Sequence, residues 1–201
     1  MKRRIVLCLF TVIVLLLCTP GRVSAYTSGW CGKSVTYVYN KDTKTLTISG
    51  EGDMWDSNAF SYNGSSFLQE VETVVFESGV TYIGSGAFKR CQNLKTVILS
   101  DTITHIGSSA FAECPSLKEI YIPPTVEKIG NGAFKQSGLV YVTIPSQTIG
   151  GLAFNGCYNL ISIKVTNDKA EIGQYAFSSC KKLENVILPD GITTLPNNLL
   201  S

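Results

Sequence analysis

The sequence predicts a solenoid, mostly β, whose coils of ~23 residues each contribute a short parallel strand and a short helical turn, with a β-hairpin cap in front. Three observations predict it. The string Ile-Gly-x-x-Ala-Phe occurs at Ile83–Phe88, Ile106–Phe111, Ile129–Phe134, Ile149–Phe154 and Ile172–Phe177, at equal steps except for a shorter one between Phe134 and Phe154. A second string, apolar-x-x-apolar-x-apolar, falls between the copies, as in Leu94, Val97, Leu99 and Leu117, Ile120, Ile122. Residues 26–66 carry neither. A fixed period of this size is the mark of stacked supersecondary units.

The chain opens with Lys2, Arg3 and Arg4, an apolar run from Ile5 to Cys18, and Val23-Ser24-Ala25, small at its last two positions. That order is expected of a secretory signal peptide over residues 1–25, cleaved after Ala25. The run falls short of the ~20 residues a bilayer span needs, so no membrane span is expected after cleavage. Leu17 before Cys18 fits lipoprotein cleavage poorly. Without the leader's four basic residues the formal charge moves from +2 to −2. Such a balance argues against nucleic acid as a partner.

Residues 26–66 are expected to form a β-rich cap. Val35–Tyr39 and Thr45–Ser49, rich in β-branched and aromatic residues, flank Asn40–Lys44 and read as a hairpin. Gly50, Gly52, Asn63 and Gly64 mark loops. The cap would cover the open edge of the first coil, since bare edges invite pairing with other chains.

Residues 67–201 hold five repeats and a partial sixth, in which Leu195 and Leu200 follow Ile172 and Phe177 by the same step that separates Ile149 from Ile172. The last three positions of the second string alternate with period two, as in a half-buried strand. Ala-Phe-x-x-Cys then reads as a tight helical turn. The coil 94–116 offers about eight inward apolar side chains, each large one worth ~1.5–3 kcal/mol when buried. Ordering its backbone costs ~1–2 kcal/mol per residue. A lone coil therefore loses, and the coils must stack to share a core. The shorter spacings near Ser137 and Pro145 read as deletions confined to turns.

These strings, with the lead-in from Cys31-Gly32 to Leu46–Gly52, resemble the BspA-like class of leucine-rich repeats (the leucine-rich repeat 5 type) over about residues 67–201. The class is found in surface proteins of host-associated bacteria and some protozoa. The resemblance implies a right-handed leucine-rich repeat solenoid and adhesion to host proteins, other cells or matrix. It carries over no catalytic site, because the motif consists of structural residues. One departure is that the chain stops at Ser201, inside a repeat.

Phe88, Phe111, Phe134, Phe154 and Phe177 form one ladder of equivalent positions, and Cys91, Cys114, Cys157 and Cys180 form another, with Ser137 as the substituted rung. Converging thiols would suggest a metal or disulfides, but one cysteine per coil gives parallel side chains. The cysteines therefore read as buried, small hydrophobic groups. Cys31 is left over, because five mature cysteines cannot all pair within one chain. His105 is the single histidine, and its equivalents Tyr82, Lys128, Thr148, Glu171 and Thr194 mark a solvent-facing position. A lone histidine excludes a Ser-His-Asp or HExxH site. Glu51, Asp53 and Asp56 lie close enough in sequence for a carboxylate pair, yet turns and solvation explain them better. Asn63-Gly64-Ser65 matches a glycosylation acceptor, relevant only in a eukaryotic source.

The outward strand positions are the informative surface. Val75, Ile98 and Tyr121 follow one another in one column, with Tyr141 diagonal to Tyr121 and Glu119, Thr143 and Lys164 nearby. Two readings fit them: a partner-binding patch, or residues chosen for β-propensity on a pleated surface. The expected function is a secreted or cell-surface binding module, adhesin-like and not an enzyme, for an extracellular protein or glycan, with no cofactor and no metal. The alternatives are a structural spacer that stacks end to end through the coil around Val186–Leu188, and the non-catalytic part of a longer surface enzyme.

Overall fold

The computed structural model describes residues 26–56, 59–60, 65–192 and 194–200; the expected leader and Asn63 lie outside the described residues. The chain opens with an antiparallel meander, β1 (Tyr26–Trp30), β2 (Val35–Asn40) and β3 (Thr45–Gly50). Asn40 tightens the β2–β3 turn, its Oδ1 accepting from the N–H of Asp42 at 2.9 Å and of Thr43 at 3.2 Å. β3 is more than a hairpin arm. It pairs in parallel with β5 (Thr73–Phe76), which pairs in parallel with β7 (Thr96–Ile98), both starting from a threonine. The cap and the repeats therefore share one sheet of five strands, ordered β1-β2-β3-β5-β7.

The second face of the solenoid is a continuous parallel sheet of six strands. β4 (Gly52–Asp53), β6 (Val80–Ile83), β8 (His105–Ile106), β9 (Lys128–Ile129), β11 (Thr148–Ile149) and β13 (Glu171–Ile172) follow one another without a gap. The isoleucines of Ile-Gly-x-x-Ala-Phe sit directly opposite one another here, Ile106 against Ile129 and Ile149 against Ile172. The glycine after each isoleucine is required by close approach. A Cβ on Gly150 would lie 2.6 Å from Asn131 N, and one on Gly107 would lie 2.6 Å from Ile83 O.

The third face differs from the expected helical turn. Among the described residues the only helical segment is a 3-10 turn at Ser65–Gln69. Each Ala-Phe-x-x-Cys segment is instead bracketed by two left-handed residues four apart, one just before the alanine and one just before the cysteine or its serine replacement. Gly86, Gly132 and Gly156 take such positions with φ 61–68°, but so do Arg90, Ser109, Glu113, Gln136, Leu152, Tyr175 and Ser179 with φ 55–66°. In this segment every second N–H points to the next coil. Phe111 N donates to Ala133 O, and Phe134 N to Ala153 O, both at 2.8 Å. The intervening amides close four-residue turns, as Ala87 N does on Gly84 O. A helix would spend all of these donors within its own coil and leave the stack without this ladder.

The core runs as one column along the stack. Phe88 and Phe111 stack at 5.3 Å between centroids, Phe111 and Phe134 at 5.5 Å, and Phe134 and Phe154 at 5.2 Å, with ring planes within 12° of parallel. The shortened 134–154 interval does not disturb the column, because the missing residues lie in turns. Phe177 tilts by 44° against Phe154. At the other end the stack continues into the cap through Phe60, 5.5 Å from Phe88, and on to Tyr37, Phe67 and Tyr39.

Candidate functional site

The first face is built by the second string. Its inward positions Val74, Val97, Ile120, Val142 and Ile163 are buried, so the intervening residues point outward. The last part of this face is a separate parallel sheet, β10 (Tyr141–Ile144), β12 (Ser162–Val165) and β14 (Asn185–Ile187). Paired positions place Val75 beside Ile98, Thr143 beside Lys164, and Lys164 beside Ile187. The bond from Val140 N to Lys118 O carries the register across the intervening coil, so Tyr121 falls in line with Thr143, and Glu119 with Tyr141.

The strand expected around Glu119–Tyr121 does not form. Residues 117–123 lack strand pairing, and no hydrogen bond joins the main chain of Glu119, Ile120, Tyr121 or Ile122 to a described residue. Pro123 and Pro124 follow at once and supply no N–H to pin the end of this segment. The sheet is therefore split in the middle of the first face while the second face runs on unbroken.

A groove of about 1060 Å³ lies over this split. Glu119, Tyr121, Tyr141, Thr143 and Lys164, all singled out in the sequence, line it. Val75 and Ile98 share the column but stand outside the groove; Ile98 is exposed and Val75 half-buried. Tyr121 and Tyr141 are the most open of the large hydrophobic side chains here, 71% and 61% exposed. Lys95, Lys118 and Ile187 also line the groove and were not among the sequence candidates. Both lysines precede the alternating triplet by two residues, outside the window in which outward positions are read. Lys95 is engaged: its Nζ and that of Lys44 each lie 2.6 Å from the Glu72 carboxylate, and these two ammonium groups lower the Glu72 pKa to about 2. Lys118 Nζ donates to Pro115 O, and no ion pair among the described residues includes Lys118, Glu119 or Lys164.

The other candidates have structural partners. Cys114, Cys157 and Cys180 donate their S–H to Phe88 O, Phe134 O and Phe154 O at 3.1–3.2 Å, and Ser137 Oγ sits 3.3 Å from Cys157 Sγ. Burial raises these thiols, to about 12 for Cys114 and Cys157 and about 11 for the half-buried Cys180, with Cys91 higher still. Neutral thiols of this kind are poor nucleophiles and poor metal ligands. Cys31 is buried in the cap and its thiol is likewise pushed up to about 12. His105 Nδ1 is 2.9 Å from Thr104 Oγ1 on a half-buried position. Asp53 accepts from Thr81 Oγ1, and Asp56 accepts from Tyr82 Oη and Ser85 N, each at 2.7 Å, so both carboxylates tie the cap to the first repeat. Among the described residues no group of three or more His, Cys, Asp or Glu could hold a metal ion, and no helix is long and apolar enough to cross a membrane.

The model of the BspA type leucine rich repeat region matches six copies over residues 37–160 and 133–201. The match begins at residue 37, inside the hairpin, in keeping with β3 acting as a coil strand. No curated protein matches the chain. Among solved structures, a leucine-rich repeat protein from Eubacterium ventriosum aligns with 25% identity and a TM-score of 0.72, covering 83% of this chain and 45% of that one. One from Bacteroides ovatus aligns with 23% identity and a TM-score of 0.63, covering 84% and 47%. A leucine rich cell surface protein from Faecalibacterium prausnitzii aligns with 23% identity and a TM-score of 0.54, covering 82% and 55%. The chain thus spans about half the length of these relatives. With its Ile-Gly-x-x-Ala-Phe coils, its phenylalanine column and the family match over most of its length, this chain belongs to the BspA-type leucine-rich repeat family.

Proposed function

We propose that this protein is a cell-surface or secreted binding module, adhesin-like, that contacts an extracellular protein through its first face. The observation that carries the reading is the groove over the split sheet, where Tyr121 and Tyr141 stand open beside Glu119, Thr143 and Lys164. Tyrosine offers a large contact area with few rotatable bonds and is enriched at the centres of protein interfaces. Everything beneath these residues is structural: the phenylalanine and cysteine ladders hold the coils in register and leave the outward positions free to vary. The cell-surface setting is supported by the family and by the neighbour from Faecalibacterium prausnitzii, described as a cell surface protein.

The test is surface plasmon resonance of the purified protein against matrix proteins, cell-surface proteins and glycans. Saturable binding to one of them supports the module. A folded protein that binds none of them counts against it.

A second reading, a spacer that stacks end to end, is favoured by the coil at Leu183–Ile192. Leu183, Leu188 and Ile192 are only partly buried, Ile187 is 52% exposed, and among the described residues β14 pairs with β12 alone. Size-exclusion chromatography across a concentration series separates the two, since stacking predicts growth of the particle with concentration and the binding module alone does not.

A further inference from the structure

We propose that the groove receives an acidic, extended segment of a partner protein, with an apolar side chain seated between Tyr121 and Tyr141 and its carboxylates facing Lys118 and Lys164. The proposal rests on the reading of the first face as the binding surface, and it adds the chemistry of the partner.

Charge supports it first. Three lysines and a single glutamate line the groove, on a chain that is net negative once its basic leader is set aside. Glu72 holds Lys95, but no acid pairs with Lys118 or Lys164 among the described residues. A local positive field on an acidic body selects acidic partners, because an incoming carboxylate is attracted to the groove and repelled elsewhere.

The main chain supports it second. Glu119–Ile122 lines the groove, and its amides and carbonyls are unpaired with any described residue. Both donors and acceptors are present, which suits the alternating N–H and C=O groups of an extended peptide. The apolar lining supports it third. Tyr121, Tyr141, Ile187 and Pro124 give a partner side chain something to bury against, worth ~25 cal/mol per Å² of apolar surface removed from water. A sulfated or uronic glycan would use the lysines but leave this apolar surface largely unused.

The test uses the purified protein with three probes: synthetic peptides rich in Asp and Glu that carry one Leu or Phe, the same peptides with Asn and Gln, and heparin fragments. We expect the acidic peptides to bind saturably and at least about tenfold more tightly than their amide counterparts. Their association should slow by about tenfold in Lys118→Glu/Lys164→Glu and with added salt. Thermal unfolding of that variant checks that the fold is kept. Equal binding of acidic and amide peptides, indifference to the charge reversal, binding of heparin alone, or no peptide binding at all would overturn the proposal. If a partner's binding depends on Tyr121 and Tyr141 but not on the lysines, the first face remains the binding surface and only the acidic partner is wrong. If it depends on neither pair, both readings fall.

Discussion

Phe88 and Phe111 lie face to face, their centroids 5.3 Å apart and their planes 8° from parallel, so one ring of each coil forms the floor for the next. The geometry follows from repetition: identical residues at identical positions of stacked coils can differ only by the step between coils. Because each ring contacts the coil on either side, damage to one should spread to two interfaces. Phe111→Ala is expected to cost ~3–5 kcal/mol in urea unfolding, and Phe177→Ala less, since Phe177 is tilted against a single ring. Equal losses at the two positions would mean that the column does not couple the coils.

Gly150 and Leu152 make opposite demands on the backbone two residues apart. A Cβ at Gly150 would stand 2.6 Å from Asn131 N, so Gly150→Ala is expected to push two coils apart and lower the melting temperature. Leu152 has φ 60° and is exposed, which costs a non-glycine residue ~1–2 kcal/mol. Leu152→Gly is expected to recover part of that strain against the added entropy of the unfolded chain. The net result is a melting temperature higher by roughly 1–4 °C. A lower value would show that the Leu152 side chain contributes more by packing than its backbone loses.

The cysteine ladder gives a pH dependence at the alkaline end. Burial raises Cys114 and Cys157 from 9.0 to about 12, so the folded state holds these protons more tightly than the unfolded one. Their contribution is complete below pH 9 and is lost as the pH rises from 9 toward 12. Unfolding free energy measured in a reducing buffer is expected to fall across that window, less so in Cys157→Ser. In the folded protein at neutral pH the thiols should react slowly with a disulfide reagent, Cys180 first. Fast reaction of Cys114 would contradict the burial.

Glu72 sets the acid limb in the opposite sense. Lys44 and Lys95 lower its pKa from 4.5 to about 2, so the stabilisation it provides is complete above pH 4.5 and is lost as the pH falls toward 2. Because the pair is solvent-exposed, salt should weaken it. An NMR titration of the Glu72 carboxyl carbon is expected to give a midpoint well below 4.5 that rises in Lys95→Ala. A midpoint at the ordinary glutamate value would show that neither lysine holds it.

Much of the fold was legible because the repeat forces it. Five copies of one string fix which residues stack, and the outward positions Tyr121, Tyr141 and Lys164 follow from strand alternation alone. Three things were hidden. Ala59-Phe60 is a diverged copy of Ala87-Phe88, but it stands further upstream than one period of the repeat, and only contact with the Phe88 ring shows it to be a rung. The Ala-Phe-x-x-Cys turn looks helical in sequence, yet hydrogen bonding between coils selects a turn bracketed by left-handed residues, and Ser109 or Tyr175 in a left-handed position carries no local signal. The split at Glu119–Ile122 was hidden as well: its hydrophobic pattern is that of its neighbours, and the one local difference, Pro123-Pro124, reads in the sequence as an ordinary turn. Lys118 and Lys95 line the groove over this split.

If the first face is the binding surface, Tyr121 and Tyr141 form its centre. The direct measurement is the dissociation constant of the purified protein and of Tyr121→Ser/Tyr141→Ser for the partner found by surface plasmon resonance, with melting temperatures compared alongside. Loss of affinity by at least about tenfold at an unchanged melting temperature is the expected result, as for aromatic residues at an interface centre. An unchanged dissociation constant in the folded variant would contradict the claim and move the binding surface elsewhere on the solenoid.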